Sequence, residues 1–115
     1  MKRGEVYRFA LDPTIGSEVR KTRPCVVVQR DLRTERSPVT IVCPLTDANQ
    51  RAGNIVNPAV PAGVGGTTKD SLVCCHQVRT VDRRRAVGDK LGDLPPEIMA
   101  AVSRGLRAIL DLDAG

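Results

Sequence analysis

Aromatic residues are nearly absent from the chain, which has one tyrosine, one phenylalanine and no tryptophan among 115 residues. A broad platform of rings for stacking nucleic-acid bases is therefore excluded. No apolar run approaches the roughly 18–20 residues that a membrane-spanning helix requires. The first residues, Met1 to Gly4, lead straight into patterned sequence without the apolar core of a signal peptide. We therefore expect a cytoplasmic protein without a membrane partner.

Metal-site spacings and the usual catalytic sets are also missing. The four cysteines, Cys25, Cys43, Cys74 and Cys75, form no C-x-x-C pair, and the one histidine is His76. We interpret the cysteines as small buried hydrophobic residues rather than disulfides, metal ligands or a nucleophile. Adjacent residues of a strand point to opposite faces, so Cys-Cys-His is a poor zinc site. We expect no metal and no other cofactor.

Basic residues outnumber acidic ones, 18 to 13, which gives a net charge of +5 and a pI near 9.4. Arginine provides fourteen of these cations and lysine four. Two interpretations stay open, a surface for a polyanion and a merely solvated basic face. An enzyme with this composition would have to work with arginine and hydroxyl groups, and such groups suit phosphoryl chemistry.

The residue patterns of the first half predict strands. Residues 5–11 alternate between apolar and polar side chains, and residues 24–29 are almost continuously apolar, as in a strand buried on both faces. A third strand is predicted over 39–46, with its end marked by Pro44. Residues 12–22 contain turn-forming and basic residues, which predict a long exposed loop.

The second half predicts further strands and then a helix. A short edge strand broken by Pro58 is expected within 54–60, and a flexible glycine-rich connection at 63–66. Residues 71–81 form one long strand or two separated by a bend, and 86–91 a weaker one. From Ile98 to Leu110 apolar residues recur every three or four positions, as in an amphipathic helix that starts near Pro95-Pro96. We expect one domain, residues 1–115, mainly β with a C-terminal α-helix, built as a small barrel.

Several short blocks, in chain order, resemble those of the MazF/PemK toxins. The blocks are Arg3-Gly4-Glu5-Val6-Tyr7, Asp12-Pro13-Thr14 with Gly16-Ser17-Glu18, Lys21 to Val28, Cys43-Pro44-Leu45-Thr46, Lys69-Asp70-Ser71, and His76 to Asp82 with Arg85. The resemblance implies an SH3-like barrel of the CcdB/PemK kind that forms a homodimer. It also implies the toxin of a type II toxin-antitoxin system, with an acidic, MazE-like antitoxin as partner.

The implied activity is a metal-independent, sequence-specific endoribonuclease, an mRNA interferase that halts translation and growth. Such an enzyme cleaves single-stranded mRNA by attack of the ribose 2′-hydroxyl, which leaves 2′,3′-cyclic phosphate and 5′-hydroxyl ends. Carried over position by position, the catalytic residues are Arg23 and Thr46. The resemblance and the local positive charge predict RNA contacts at Ser17, Glu18, Arg20, Lys21, Gln77 and Arg79.

Two other function classes stay open. One is a non-catalytic toxin of the CcdB type that targets gyrase, and the other is a small nucleic-acid-binding barrel without turnover. Arg23 and Thr46 separate these classes, because only the nuclease requires both side chains at one scissile phosphate. Without the resemblance, Arg23 would be interpreted as an exposed charge at a loop end and Thr46 as a strand-end hydroxyl.

Overall fold

The computed structural model describes residues 1–12, 15–16, 21–31 and 37–112. Its strands are β1 (Glu5–Ala10), β2 (Thr22–Val27), β3 (Val39–Asp47), β4 (Ala59–Val60), β5 (Ser71–Val73), β6 (Arg79–Asp82) and β7 (Gly92–Asp93). One helix follows, α1 (Pro96–Ile109), and 3-10 turns lie at Val64–Gly66, Cys75–Gln77 and Arg83–Arg85. Mainly β structure with a C-terminal helix is therefore confirmed.

All strand pairs of the described residues are antiparallel, in the order β4-β5-β3-β2-β1-β7, with β6 also on β3. Strand β3 is central because it changes partners along one edge. Its first residues, Val39 to Val42, pair with β6, whereas Leu45 to Asp47 pair with β5. The sheet therefore bends at this changeover, as a small barrel requires.

The third strand, predicted over 39–46, is confirmed as β3, but the interpretation of Pro44 as the mark of its end is wrong, because the strand continues to Asp47. Pro44 accepts a hydrogen bond from the Cys74 amide at 2.8 Å, so its nitrogen faces the same edge of β3. That edge is where the partner changes from β6 to β5. Neither the pairing with β6 nor the pairing with β5 therefore needs an amide donor at this position. The strand tolerates proline for this reason.

Two hydrophobic clusters fill the interior. The first contains Val6, Val26, Val28, Cys43, Leu45, Val60, Val73, Cys75, Leu94 and Val102, and the second contains Phe9, Leu11, Cys25, Val27, Val42 and Val81. Strand β2 contributes to both, because successive side chains point to opposite faces. Its predicted burial on both faces is confirmed. All four cysteines are buried and free, as expected.

The segment between β4 and α1 differs in part from expectation. Residues 71–81 form two strands separated by a 3-10 turn, which confirms one of the two alternatives. The strand predicted over 86–91 is wrong: Ala86 makes a single bridge to Phe9, and the short strand is β7. Within the glycine-rich connection, Gly65 is buried, and a Cβ there would lie 2.7 Å from Leu94 Cδ2. This connection is therefore a closely packed turn.

Helix α1 begins after Pro95, as the sequence predicts, with Pro96 in its first turn and Glu97 at the positive end of its dipole. Its mid-helix glycine, Gly105, is buried against the rest of the chain. A Cβ at Gly105 would lie 2.6 Å from the Ile55 carbonyl oxygen and 2.8 Å from Cys75 Sγ. Glycine at this position therefore allows the helix to approach the barrel. In the part of the chain described, no helix is long and apolar enough to cross a membrane.

Candidate active site

A pocket opens where β2 and β3 separate. The two strands pair only as far as Cys25 and Pro44. Beyond that point β2 stays with β1, where Arg23 lies opposite Phe9, and β3 stays with β5. The gap between them is a pocket of about 210 Å³ lined by both Arg23 and Thr46. The structure thus brings together the two residues predicted as catalytic.

The pocket lining is basic and rich in hydroxyl groups. It consists of Arg8, Arg23, Pro24, Leu45, Thr46, Asp47, Gly66, Thr67, Thr68, Lys69, Ser71 and Leu91. Three cations face a single carboxylate, that of Asp47, whose Oδ2 lies 3.6 Å from Lys69 Nζ. This exposed pair offsets the charge of Lys69, so the charge of Arg8 and Arg23 dominates the pocket. The lining suits an anionic group such as a phosphodiester.

The hydroxyl groups of the pocket have different roles. Thr67 Oγ1 donates to the Val64 carbonyl at 2.8 Å, and Ser71 Oγ donates to the Lys69 carbonyl at 2.9 Å. Both protons are therefore used to hold the backbone. Thr46 is half-buried, and its Oγ1 accepts a weak hydrogen bond from the Cys74 thiol at 3.8 Å. Because this hydroxyl accepts in that contact, its own proton can serve another acceptor.

The residues predicted to contact RNA are only partly described. Ser17, Glu18 and Arg20 lie outside the described residues. Lys21 is exposed at φ 64°, and its carbonyl accepts a hydrogen bond from the Leu11 amide at 2.9 Å. Gln77 and Arg79 are half-buried and do not line the pocket. RNA contact by these side chains therefore stays a prediction.

Two arginines bind the backbone at the end of β1. Arg79 Nη1 donates to the Leu11 carbonyl at 3.3 Å. Arg85 Nη1 donates to the carbonyl oxygens of Ala10 at 3.1 Å and Asp12 at 2.6 Å. Three successive carbonyls are thus held where the chain enters the predicted 12–22 loop. These contacts give Arg79 and Arg85 a structural role in holding the backbone of residues 10–12.

Sequence reasoning missed Arg8 in the pocket and Arg85 at the loop entrance. Arg8 lies opposite Pro24 in the pairing of β1 with β2, next to the Arg23 position. Arg8 and Arg23 are neighbours only because of the register of the two strands, so no local pattern in the sequence indicates that Arg8 lines the pocket. Arg85 belongs to a run of three arginines, which is also what a solvated basic surface would contain.

The cysteine thiols have shifted pKa values that reflect their burial. Burial raises the pKa of Cys25 to about 12 and also raises that of Cys74. A hydrogen bond between Cys43 and Cys75 raises the pKa of Cys43 and lowers that of Cys75. Within the described ranges, no group of three or more His, Cys, Asp or Glu side chains is placed to hold a metal ion.

Comparison with known proteins decides the family. Residues 2–110 match the family described as the PemK-like, MazF-like toxin of type II toxin-antitoxin systems. The chain belongs to this family. It is also 36% identical over 112 residues to endoribonuclease EndoA of Bacillus subtilis (strain 168), covering 97% of this chain and 96% of that protein. The predicted MazF/PemK membership is therefore confirmed.

Solved structures agree with the fold. MazF from Deinococcus radiodurans superposes with a TM-score of 0.80 at 22% identity, covering 96% of each chain. An endoribonuclease in complex with its cognate antitoxin, from a mycobacterial species, gives a TM-score of 0.76 at 22% identity, covering 97% of this chain and 96% of that one. The predicted MazF/PemK barrel with a C-terminal helix is confirmed. The comparisons do not favour a gyrase-targeting toxin or a binding barrel without turnover.

Proposed function

We propose that this MazF/PemK family member is an endoribonuclease toxin that cleaves single-stranded mRNA in the pocket between β2 and β3. The observation that carries the proposal is the separation of these strands, because it puts Arg23 and Thr46 at one basic pocket. The name of the relative EndoA and the match to a toxin family both support an endoribonuclease. Cleavage of mRNA by such an enzyme would stop translation and growth.

The reaction is a transphosphorylation within the RNA. The ribose 2′-oxygen forms a bond to the adjacent phosphorus as its proton leaves to a base, and the bond from phosphorus to the 5′-oxygen breaks. The departing 5′-oxygen takes up a proton, so the products are a 2′,3′-cyclic phosphate and a 5′-hydroxyl. Negative charge builds on the non-bridging oxygens in the transition state, where fixed donors stabilise it most.

Arg23 and Thr46 supply those donors. An arginine side chain is a cation with donors only, so Arg23 acts through charge and hydrogen bonds to the phosphorane. The Thr46 hydroxyl donates to a non-bridging oxygen, since its lone pair is the group that accepts from Cys74. Arg8 adds charge from the neighbouring strand. In this proposal no step uses a metal ion.

The RNA chain runs from the pocket across residues that the sequence predicts as contacts. We propose that Ser17, Glu18, Arg20 and Lys21 of the 12–22 segment contact the RNA, and that Gln77 and Arg79 do so as well. Arg79 also donates a hydrogen bond to the Leu11 carbonyl. Its substitution would therefore remove a contact with RNA and also loosen the backbone at Leu11. With so few aromatic rings, the bases are recognised by hydrogen bonds and by the shape of the groove.

We further propose a homodimer and a small acidic antitoxin as partners. The net charge of +5 favours an acidic partner, and the mycobacterial endoribonuclease is found in complex with its cognate antitoxin. A partly disordered acidic segment would cover the basic pocket and fold on binding. In this proposal the whole chain, residues 1–115, acts as one domain in the cytoplasm, which is the compartment that contains its mRNA substrate.

The test is incubation of the purified protein with a long single-stranded RNA in excess chelator, followed by mapping of the fragment ends. We expect discrete cuts with 5′-hydroxyl and 2′,3′-cyclic phosphate ends. Intact RNA with folded, toxic protein would contradict the proposal and direct the next assay to gyrase. Cleavage lost in chelator and restored by a divalent ion would overturn the metal-free mechanism.

A further inference from the structure

Cys74 contacts Thr46 and does not itself line the pocket. It directly follows β5 and is only 5% exposed. Its amide donates to the Pro44 carbonyl at 2.8 Å, which ties it to the strand that carries Thr46. Its Sγ lies 3.8 Å from Thr46 Oγ1. The thiol is therefore held next to the hydroxyl through the backbone of both strands.

We propose that Cys74 is a positioning residue for Thr46, whose hydroxyl it directs toward the scissile phosphate by donating a thiol hydrogen bond to Oγ1. This inference rests on the proposed function of Thr46 in cleavage. It gives a chemical role to one of four cysteines that the sequence indicates only as buried hydrophobic residues.

A threonine hydroxyl has one donor and two acceptor lone pairs. An S–H donor on one lone pair limits the rotation of the side chain and leaves the O–H for a phosphate oxygen. Burial raises the pKa of the Cys74 thiol, and it outweighs the Thr46 hydroxyl, which lowers this pKa because it would donate to a thiolate, and the Arg51 and Arg23 charges. The thiol therefore stays protonated and available as a donor near neutral pH.

Two substitutions separate the hydrogen bond from packing. Cys74→Val keeps an apolar side chain, one methyl group larger, and removes the donor, whereas Cys74→Ser keeps a donor and is slightly smaller than cysteine. If positioning matters, Cys74→Val lowers kcat roughly three- to tenfold with little change in KM, since thiol hydrogen bonds are weak. Cys74→Ser then retains more activity than Cys74→Val. If only packing matters, the two variants rank in kcat as they rank in thermal stability.

The matched control is the same pair of substitutions at Cys43. That residue is also a buried cysteine, but its thiol bonds to Cys75 rather than to Thr46. We expect Cys43→Val and Cys43→Ser to change the stability of the protein. We do not expect the serine variant to have a higher kcat than the valine variant at this position. Thermal unfolding of all four variants identifies any that fail to fold.

A second readout does not depend on activity. In protein labelled at the threonine methyl groups, three-bond couplings report the χ1 rotamer of Thr46. We expect one rotamer in the wild type and in Cys74→Ser, and rotamer averaging in Cys74→Val. An unchanged rotamer and an unchanged kcat in folded Cys74→Val would overturn the inference. If instead Thr46→Val cleaves RNA normally, the proposed function of Thr46 fails, while the rotamer measurement still reports on the Cys74 contact.

Discussion

Arg23 and Thr46 lie on opposite strands, each two residues beyond the last pair that joins β2 to β3, Cys25 with Pro44. Each is held by a different neighbour, because Arg23 is opposite Phe9 of β1 and Thr46 is opposite Leu72 of β5. The distance between the two side chains is therefore set by the sheet and not by a loop. Sites built on such rigid elements hold their geometry most accurately.

Arg8 is expected to strengthen RNA binding by charge alone. Arg8→Ala should raise KM and reduce the salt dependence of RNA binding by about 0.7 in the log–log slope, the value for one phosphate contact on a single strand. Binding titrations at several salt concentrations measure this slope. Arg30→Ala, which removes an exposed arginine that does not line the pocket, is the matched control. Equal slopes for the two variants would contradict a pocket role for Arg8.

Arg85 is expected to affect cleavage through the loop entrance. Arg85→Ala removes the hydrogen bonds to the Ala10 and Asp12 carbonyls, so the backbone at the start of the predicted 12–22 loop keeps only the contact from Arg79 to Leu11. We predict that kcat/KM for RNA cleavage falls about tenfold, because misplaced contacts near a reacting group are costly. Arg84→Ala is the control, since that exposed side chain bonds to Asp82 instead. Wild-type kcat/KM in Arg85→Ala would refute the anchoring role.

Gly105→Ala should destabilise the protein although alanine favours helices by about 1 kcal/mol. The added Cβ would lie 2.6 Å from the Ile55 carbonyl oxygen, so α1 must move away from the barrel. We expect a net loss of about 1–3 kcal/mol in the free energy of unfolding, as for other overpacked sites. Denaturant titration measures it, with the exposed Ala108→Gly as a control for helix propensity. A stabilised Gly105→Ala would show that the helix packs less closely.

Ionisation of Asp82 is expected to make the stability of the protein depend on pH in the acid range. A side-chain hydrogen bond from Arg84, with help from the Arg84 amide, lowers the pKa of Asp82 to about 2. Its usual value in an unfolded chain is about 3.9. The ionised form is favoured by folding, so its contribution is present above that usual value and is lost as the pH falls through about 2.

Carboxyl NMR titration tests the Asp82 prediction directly. Arg84→Ala should move the pKa of Asp82 back toward its usual value, and Asp82→Asn should flatten the stability curve in this acid range. An Asp82 pKa that does not change in Arg84→Ala would show that the pair does not form in solution.

Strands with strong side-chain patterns were predictable from the sequence, and those formed by distant pairing were not. β1 and β2 follow from alternation and from a continuous apolar run, because these patterns report burial directly. β7 consists of Gly92 and Asp93, residues without strand propensity, and exists because β1 offers them an edge. The extent of β3, predicted as 39–46 and observed as Val39–Asp47, was also predictable, whereas the change of partner at Pro44 is a property of the folded sheet.

The candidate site was predictable only in part. Arg23 and Thr46 were identified through the family resemblance, since on local pattern alone one is a loop-end charge and the other a strand-end hydroxyl. The structure adds the reason that they meet, the separation of β2 from β3. Arg8 and Cys74 were not found as site residues, because the strand register and the contact at 3.8 Å exist only in three dimensions.

The central claim, that Arg23 and Thr46 together cleave RNA, is tested most directly by single-turnover cleavage in chelator with Arg23→Ala, Thr46→Ala and the double variant. Arg30→Ala and Thr80→Val serve as matched controls on exposed positions. We predict that each single variant slows cleavage about a hundredfold or more. Because the two groups act on one phosphate, we predict that the double variant loses less than the product of the two effects. Folded single variants that cut at the wild-type rate and leave 5′-hydroxyl ends would contradict the account.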